Sequence, residues 1–253
     1  MGKEESDMLL YSGYNYGYGY DRFLGEDPVT FALFIVLMVV TVISLIASSS
    51  VKSTFRKYQK MASRSGMTGA DCAAAMLRYA GISDVTVRQV PGELTDHYNP
   101  GSREVCLSES VYGSTSVAAL GVAAHECGHA LQHEEGYVPL SIRTAILPVA
   151  NIGSKLGYPL VVIGLIISQF DFLIDVGIGL FAAAVFFQLV TLPVEFDASA
   201  RAVKLTQQYN ILLPEEKPYC IKVLKAAGMT YLASAAIAVV QLLRLMSIKG
   251  RRR

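Results

Sequence analysis

The stretch Ala123-Ala124-His125-Glu126-Cys127-Gly128-His129-Ala130-Leu131 reads H-E-x-x-H. On a helix, residues i and i+4 lie on one face, one turn apart. His125 and His129 can therefore share one metal ion. Glu126 is rotated by roughly 100°, the step implied by ~3.6 residues per turn. It misses the metal but reaches a water held there. Two imidazole ligands, a carboxylate base and an open coordination position are what a zinc-dependent hydrolase needs.

The alternative is a pair of surface histidines on an ordinary helix. The chain holds only 4 histidines, and three of them are His125, His129 and His133. Gly121, Ala123, Ala124, Cys127, Gly128 and Ala130 describe a helix packed on every side. A polar side chain buried there without a partner costs several kcal/mol (~2–7). A metal ion removes that cost, so zinc is the reading taken.

Outward from this helix the composition is that of a membrane protein. Of 253 residues, 52% are hydrophobic and 17% charged, and the mean hydropathy is +0.39. These values argue against an ordinary soluble enzyme. The formal charge of +1 gives no bias toward nucleic acid. Cys72, Cys106, Cys127 and Cys220 have no metal-finger spacing and read as small packing residues in a reducing compartment.

Residues 1–27 form a flexible Tyr/Gly-rich leader, with Tyr11, Tyr14, Tyr16, Tyr18 and Tyr20 interleaved by glycine. Residues 28–50 are apolar for long enough to span a bilayer, which takes ~20 residues. They are preceded by Glu26 and Asp27 and followed by Lys52, Arg56, Lys57, Lys60 and Arg64. Basic residues stay in the cytoplasm, so the leader faces outward and residues 51–253, the membrane-integrated enzyme domain, begin inside. A short helix follows over 67–81, with Thr68 as its N-cap and Gly81 as its stop. Asp84–Val90 and Arg103–Leu107 read as strands, and Pro91–Gly101 as a loop between them. A small sheet beside the metal helix, residues 114–133, suits an extended peptide substrate. Residues 142–192 read as a transmembrane hairpin. Its connection carries Asp171 and Asp175 but no Lys or Arg, which suits the outer side. Residues 193–209 then form a further helix behind Pro193. The last apolar helix, 229–246, is long enough to span, although spanning places Lys249 and Arg251–Arg253 outside, against the charge rule.

A catalytic zinc usually takes a third protein ligand. If residues 125 and 129 share the ion, His133 lies ~6 Å further along the helix. Glu134 and Glu135 share that reach problem, and Asp171 and Asp175 fall across the membrane. Glu195 returns to the metal side, 195 − 129 = 66 residues after the second histidine. Small neighbours on its face, Ala198, Ser199 and Ala202, permit close packing on the metal helix. Asp197 reads as a partner for a histidine N–H or for Arg201. His97 or Tyr98 could stabilise an oxyanion, although a turn role suits both.

Several longer segments carry a resemblance. Ser65–Ala70, Leu94-Thr95-Asp96-His97-Tyr98-Asn99-Pro100, Leu107–Tyr112, Thr115–Glu126 and Leu192–Ser199 resemble the YugP-like family of neutral zinc metallopeptidases of prokaryotic membranes. The likeness runs from about residue 28 to the C-terminus. The family is similar in layout to HtpX and the CAAX prenyl endoproteases, whose third zinc ligand is a glutamate after a transmembrane hairpin. The resemblance implies a mainly α integral membrane protein with three to four transmembrane helices and a zincin-like metal helix of the gluzincin type. It also implies His125, His129 and Glu195 as ligands of Zn2+, with Glu126 as base. One position departs. The relatives carry E-x-x-A-D where this chain has Glu195-Phe196-Asp197-Ala198-Ser199, so the surroundings of the ligands differ.

The function expected is hydrolysis of peptide bonds by a zinc-activated water at the cytoplasmic face. Protein or peptide substrates, some of them membrane proteins, and the lipid bilayer are the partners. The rivals are a catalytically silent, metal-stabilised scaffold that binds other membrane proteins, and an amidase or esterase using the same centre. Glu126 speaks against the scaffold, because a structural site has no use for a base.

Overall fold

A computed structural model describes residues 28–250. The leader, and the basic residues after Gly250, lie outside the described residues.

The first helix, α1, runs Pro28–Gln59. Pro28 opens it, at the position where a missing N–H costs nothing. Its 32 residues reach about 48 Å at ~1.5 Å per residue, well beyond a ~30 Å hydrocarbon core. Ile35, Val39 and Ile46 stand 45%, 54% and 64% exposed, a surface suited to lipid rather than water. At the basic end, Phe55 and Tyr58 turn inward and are buried.

The short helix α2, Gly69–Tyr79, follows the expected signals. Thr68 and Asp71 form a reciprocal capping box. Beyond the end, Gly81 takes φ +74°, a conformation that side chains disfavour. The strands β1 (Thr86–Val90), β2 (His97–Asn99) and β3 (Glu104–Ser108) make one sheet in the order β1-β3-β2. β1 pairs in parallel with β3, and β2 pairs antiparallel to it, His97 opposite Cys106 and Asn99 opposite Glu104. The loop expected over 91–101 is therefore corrected by the pairing of β2. Three residues flanked by turn formers leave no alternation to read, and only the partner strand defines the element. A single turn, α3 (Glu109–Tyr112), leads to α4, Val117–Glu134, the helix that carries His125 and His129. Ser116 caps α4, accepting the Ala119 amide at 3.2 Å. Ala118, Ala119, Ala123, Ala124 and Cys127 are fully buried, so α4 is the central strut of the core.

Two long helices follow, α5 (Val138–Ile166) and α6 (Phe172–Gln208), joined by a 3-10 turn. Backbones meet where Gly157 faces Gly177; a Cβ on Gly177 would come 2.6 Å from the Gly157 carbonyl oxygen. The sequence suggests a break at Pro193, but α6 runs straight through it. Proline removes one helical hydrogen bond, while packing against α4, α5 and α7 holds this helix. The Thr191 hydroxyl donates to the Phe187 carbonyl one turn earlier, at 2.8 Å.

The last helix, α7, is also longer than the apolar run, Lys217–Gly250. It lies beside α1 and runs antiparallel to it, with the Ser247 and Thr30 hydroxyls 2.7 Å apart. Lys249 pairs with Asp175, near the α5–α6 connection. One end of the bundle thus holds the start of α1, the hairpin turn and the end of α7. The opposite end holds α4 and the sheet. Helices α1, α5, α6 and α7 are four that are long and apolar enough to cross a membrane. All four cysteines are buried and unpaired.

Candidate metal centre

Helix α4 presents His125 and His129 on adjacent turns, and α6 brings Glu195 against them. Glu195 Oε2 lies 3.3 Å from His125 Nε2 and 3.7 Å from His129 Nε2. The three donor atoms fall within 4.8 Å of one another. Glu195 is 2% exposed and His129 8%. The approach that permits this is Gly128 against Ala198. A Cβ on Gly128 would come 2.6 Å from the Ala198 carbonyl oxygen. The small residues flanking Glu195 thus serve the purpose the sequence suggests, and Ala198 and Ala202 are fully buried.

These residues suit zinc. Glu195 Oε2 is buried and receives no well-directed hydrogen bond among the described residues. An orphaned carboxylate oxygen facing two imidazole nitrogens is costly unless a cation joins them. Tetrahedral donors at ~2.0–2.2 Å from zinc lie ~3.3–3.5 Å apart, close to the two separations observed.

The outer nitrogens of both histidines are held. His125 Nδ1 lies 3.1 Å from Ser199 Oγ. His129 Nδ1 lies 3.0 Å from Gln132 Oε1. The Gln132 amide nitrogen donates to the Val194 carbonyl and to Asp197 Oδ2, both at 2.8 Å. Both of those partners only accept, so the amide oxygen is the atom left for His129. Nδ1 of His129 therefore carries its hydrogen, and Nε2 keeps its lone pair toward Glu195. Arg201 anchors the chain of bonds, donating to Asp197 at 2.6 Å and to Glu135 at 2.7 Å. Asp197 pairs with Arg201 and reaches His129 only through Gln132. Ser199, at the departing position, takes up His125. Gln132 was not singled out by sequence; it lies one turn from His129, but the partners that orient its amide are 62 and 65 residues away.

Glu126 is 7% exposed and lines the same cleft. Burial pushes its carboxyl above the ordinary range; the two imidazoles oppose that, and Asp96 and Glu195 add to it. Asp96 itself accepts the Ser108 amide at 2.7 Å and the Ser108 hydroxyl at 2.9 Å, which ties the turn before β2 to the end of β3. His133 lies outside the cluster and meets Tyr98, with the phenol oxygen 2.8 Å from Nδ1. The His97 ring is held by the Thr95 carbonyl at 2.8 Å. His97 and Tyr98 both line a polar cavity of about 290 Å³ over the site, with Arg143 and Tyr231. Arg143 Nη1 stands 3.5 Å from Glu195 Oε1. Neither Arg143 nor Tyr231 was singled out by sequence, since each lies on a long, mainly apolar helix with no motif around it.

With this geometry in view, comparison with known proteins is direct. No solved structure matches the chain. The "Putative membrane protease YugP" of Bacillus subtilis is 46% identical over 217 residues, covering 85% of this chain and 96% of that protein. The family described as "Putative neutral zinc metallopeptidase" matches residues 33–250, which takes in His125, His129, Glu195, most of α1 and the other three long apolar helices. By that match and that identity, the chain belongs to the putative neutral zinc metallopeptidase family.

Proposed function

We propose that this chain is an integral membrane zinc endopeptidase with a zincin-like metal helix and an active site open to the cytoplasm. The observation that carries the proposal is the buried meeting of His125, His129 and Glu195 with Glu126 alongside. His125, His129 and Glu195 would hold the ion. Zinc bound there supplies Lewis acidity to the scissile carbonyl and to the attacking water. Glu126 takes a proton from that water and returns it to the leaving amine. Gln132 fixes the His129 tautomer, and Ser199 orients the His125 ring. The Tyr231 hydroxyl is the donor for the developing oxyanion, because Tyr231 lines the cleft together with His125, Glu126 and Glu195. The β2 edge, not covered by a further described strand, offers backbone groups to an extended peptide.

Orientation follows from charge. The site lies at the end of α1 that carries Lys52, Arg56 and Lys57, and such residues are retained in the cytoplasm.

The test is metal analysis and casein hydrolysis of the purified protein. The parent should carry about one zinc per chain, and His125→Ala should carry little. Glu126→Gln should keep zinc and lose cleavage. Hydrolysis of ester substrates with casein left intact would replace the peptidase with an esterase. A Glu126→Gln variant as active as the parent would remove the base.

A further inference from the structure

A second cavity borders the metal centre on the side away from Arg143. It measures about 220 Å³ and is mainly apolar. Val51 and Phe55 of α1 form one wall, Val223, Leu224 and Ala227 of α7 the other, and Val122 of α4 joins them. His125 and Glu126 are common to this cavity and to the polar one, as is Tyr231. The two are lobes of one cleft that meet at the catalytic base.

Three observations identify an occupant. The volume is below the ~300 Å³ at which pockets for whole small molecules begin, so it takes one side chain. The walls offer contacts to an apolar group and no cation. The acids at its edge are committed: Asp96 accepts two hydrogen bonds from Ser108, and Glu126 is the base. A lysine or arginine that paired with either acid would compete with those roles, and an acidic side chain would be repelled by both. Leu94 also lines this lobe and holds φ +58°. For a non-glycine residue that conformation costs of order 1–2 kcal/mol, and the strain is retained beside the subsite.

Resting on the peptidase reading above, we propose that this lobe is the specificity subsite for a leucine-, methionine- or phenylalanine-sized side chain next to the scissile bond. Walls drawn from α1 and α7 then make selection of the substrate a property of the membrane helices rather than of the sheet.

The experiment uses zinc-loaded full-length protein in detergent and peptides that vary one residue on each side of a common cleavable bond. At one of the two positions, leucine, methionine or phenylalanine should exceed alanine by about 10- to 200-fold in kcat/KM. Ala227→Phe and, from the facing helix, Val51→Phe should each abolish that preference while alanine peptides are still cleaved and zinc content is unchanged. Binding of the same peptides to Glu126→Gln protein should show the same order without turnover. Two variants on different helices guard against the loss of one to misfolding. Cleavage without apolar preference, preference for lysine or arginine, or a preference that survives both variants would overturn the subsite alone. Failure of the parent to cleave any peptide would overturn the peptidase reading and the subsite with it.

Discussion

Gly128→Ala tests the packing on which the centre depends. In an ordinary helix interior this change stabilises by ~1 kcal/mol, through backbone entropy. Here the added Cβ would stand 2.6 Å from the Ala198 carbonyl oxygen and 3.1 Å from its Cα. Carbon–oxygen contacts settle near ~3.3 Å, so α6 must retreat from α4 by ~0.7 Å. Overpacking of this kind costs ~1–3 kcal/mol and outweighs the helical gain. The larger consequence is local. Glu195 is one turn before Ala198 and moves with it, whereas a zinc site tolerates ~0.2 Å in its ligand distances. The variant should remain folded but lose most of its zinc on dialysis against a dilute chelator, and kcat/KM on casein should fall by ~100-fold. Gly179→Ala is the control, because a Cβ there meets nothing within 4 Å, and it should behave as the parent. Zinc retention and activity in Gly128→Ala equal to the parent would refute the claim that this contact sets the ligand geometry.

Glu195→Ala should lose metal and activity together, while His133→Ala keeps its metal, measured by elemental analysis. Ser199→Ala and Gln132→Ala should each weaken zinc affinity by ~10–100-fold; a chelator titration reads this, and unchanged affinity would deny them a role. Tyr231→Phe should lower kcat by ~100–1,000-fold with zinc content intact. In metal-free protein the Glu126 carboxyl holds its proton to higher pH than in the unfolded chain, near 4.3. Stability from this group therefore falls as pH rises through that window. Glu126→Gln should be the more stable protein near neutrality, with the gap closing in acid below both values, as thermal unfolding would show.

The sequence by itself determined the helix that carries the H-E-x-x-H spacing and the membrane class. His125, Glu126 and His129 are local, and a helix converts their spacing into one face by geometry alone. The apolar runs declare themselves by length, and Thr68 and Gly81 mark the α2 ends by chemistry within three residues. The tertiary structure alone decided what depends on distant partners. β2 exists because β3 lies beside it. α6 survives Pro193 because helices press on it. Gln132 and Ser199 acquire their places only when α6 packs on α4 at Gly128. Arg143 and Tyr231 carry no motif along the chain; α5 and α7 bring them into one cleft. Contacts made within a turn, such as His129 to Gln132, can be read along the chain; contacts across 60 or more residues require the backbone to be closed first, and the rest of the polar surroundings of this candidate centre are of the second kind.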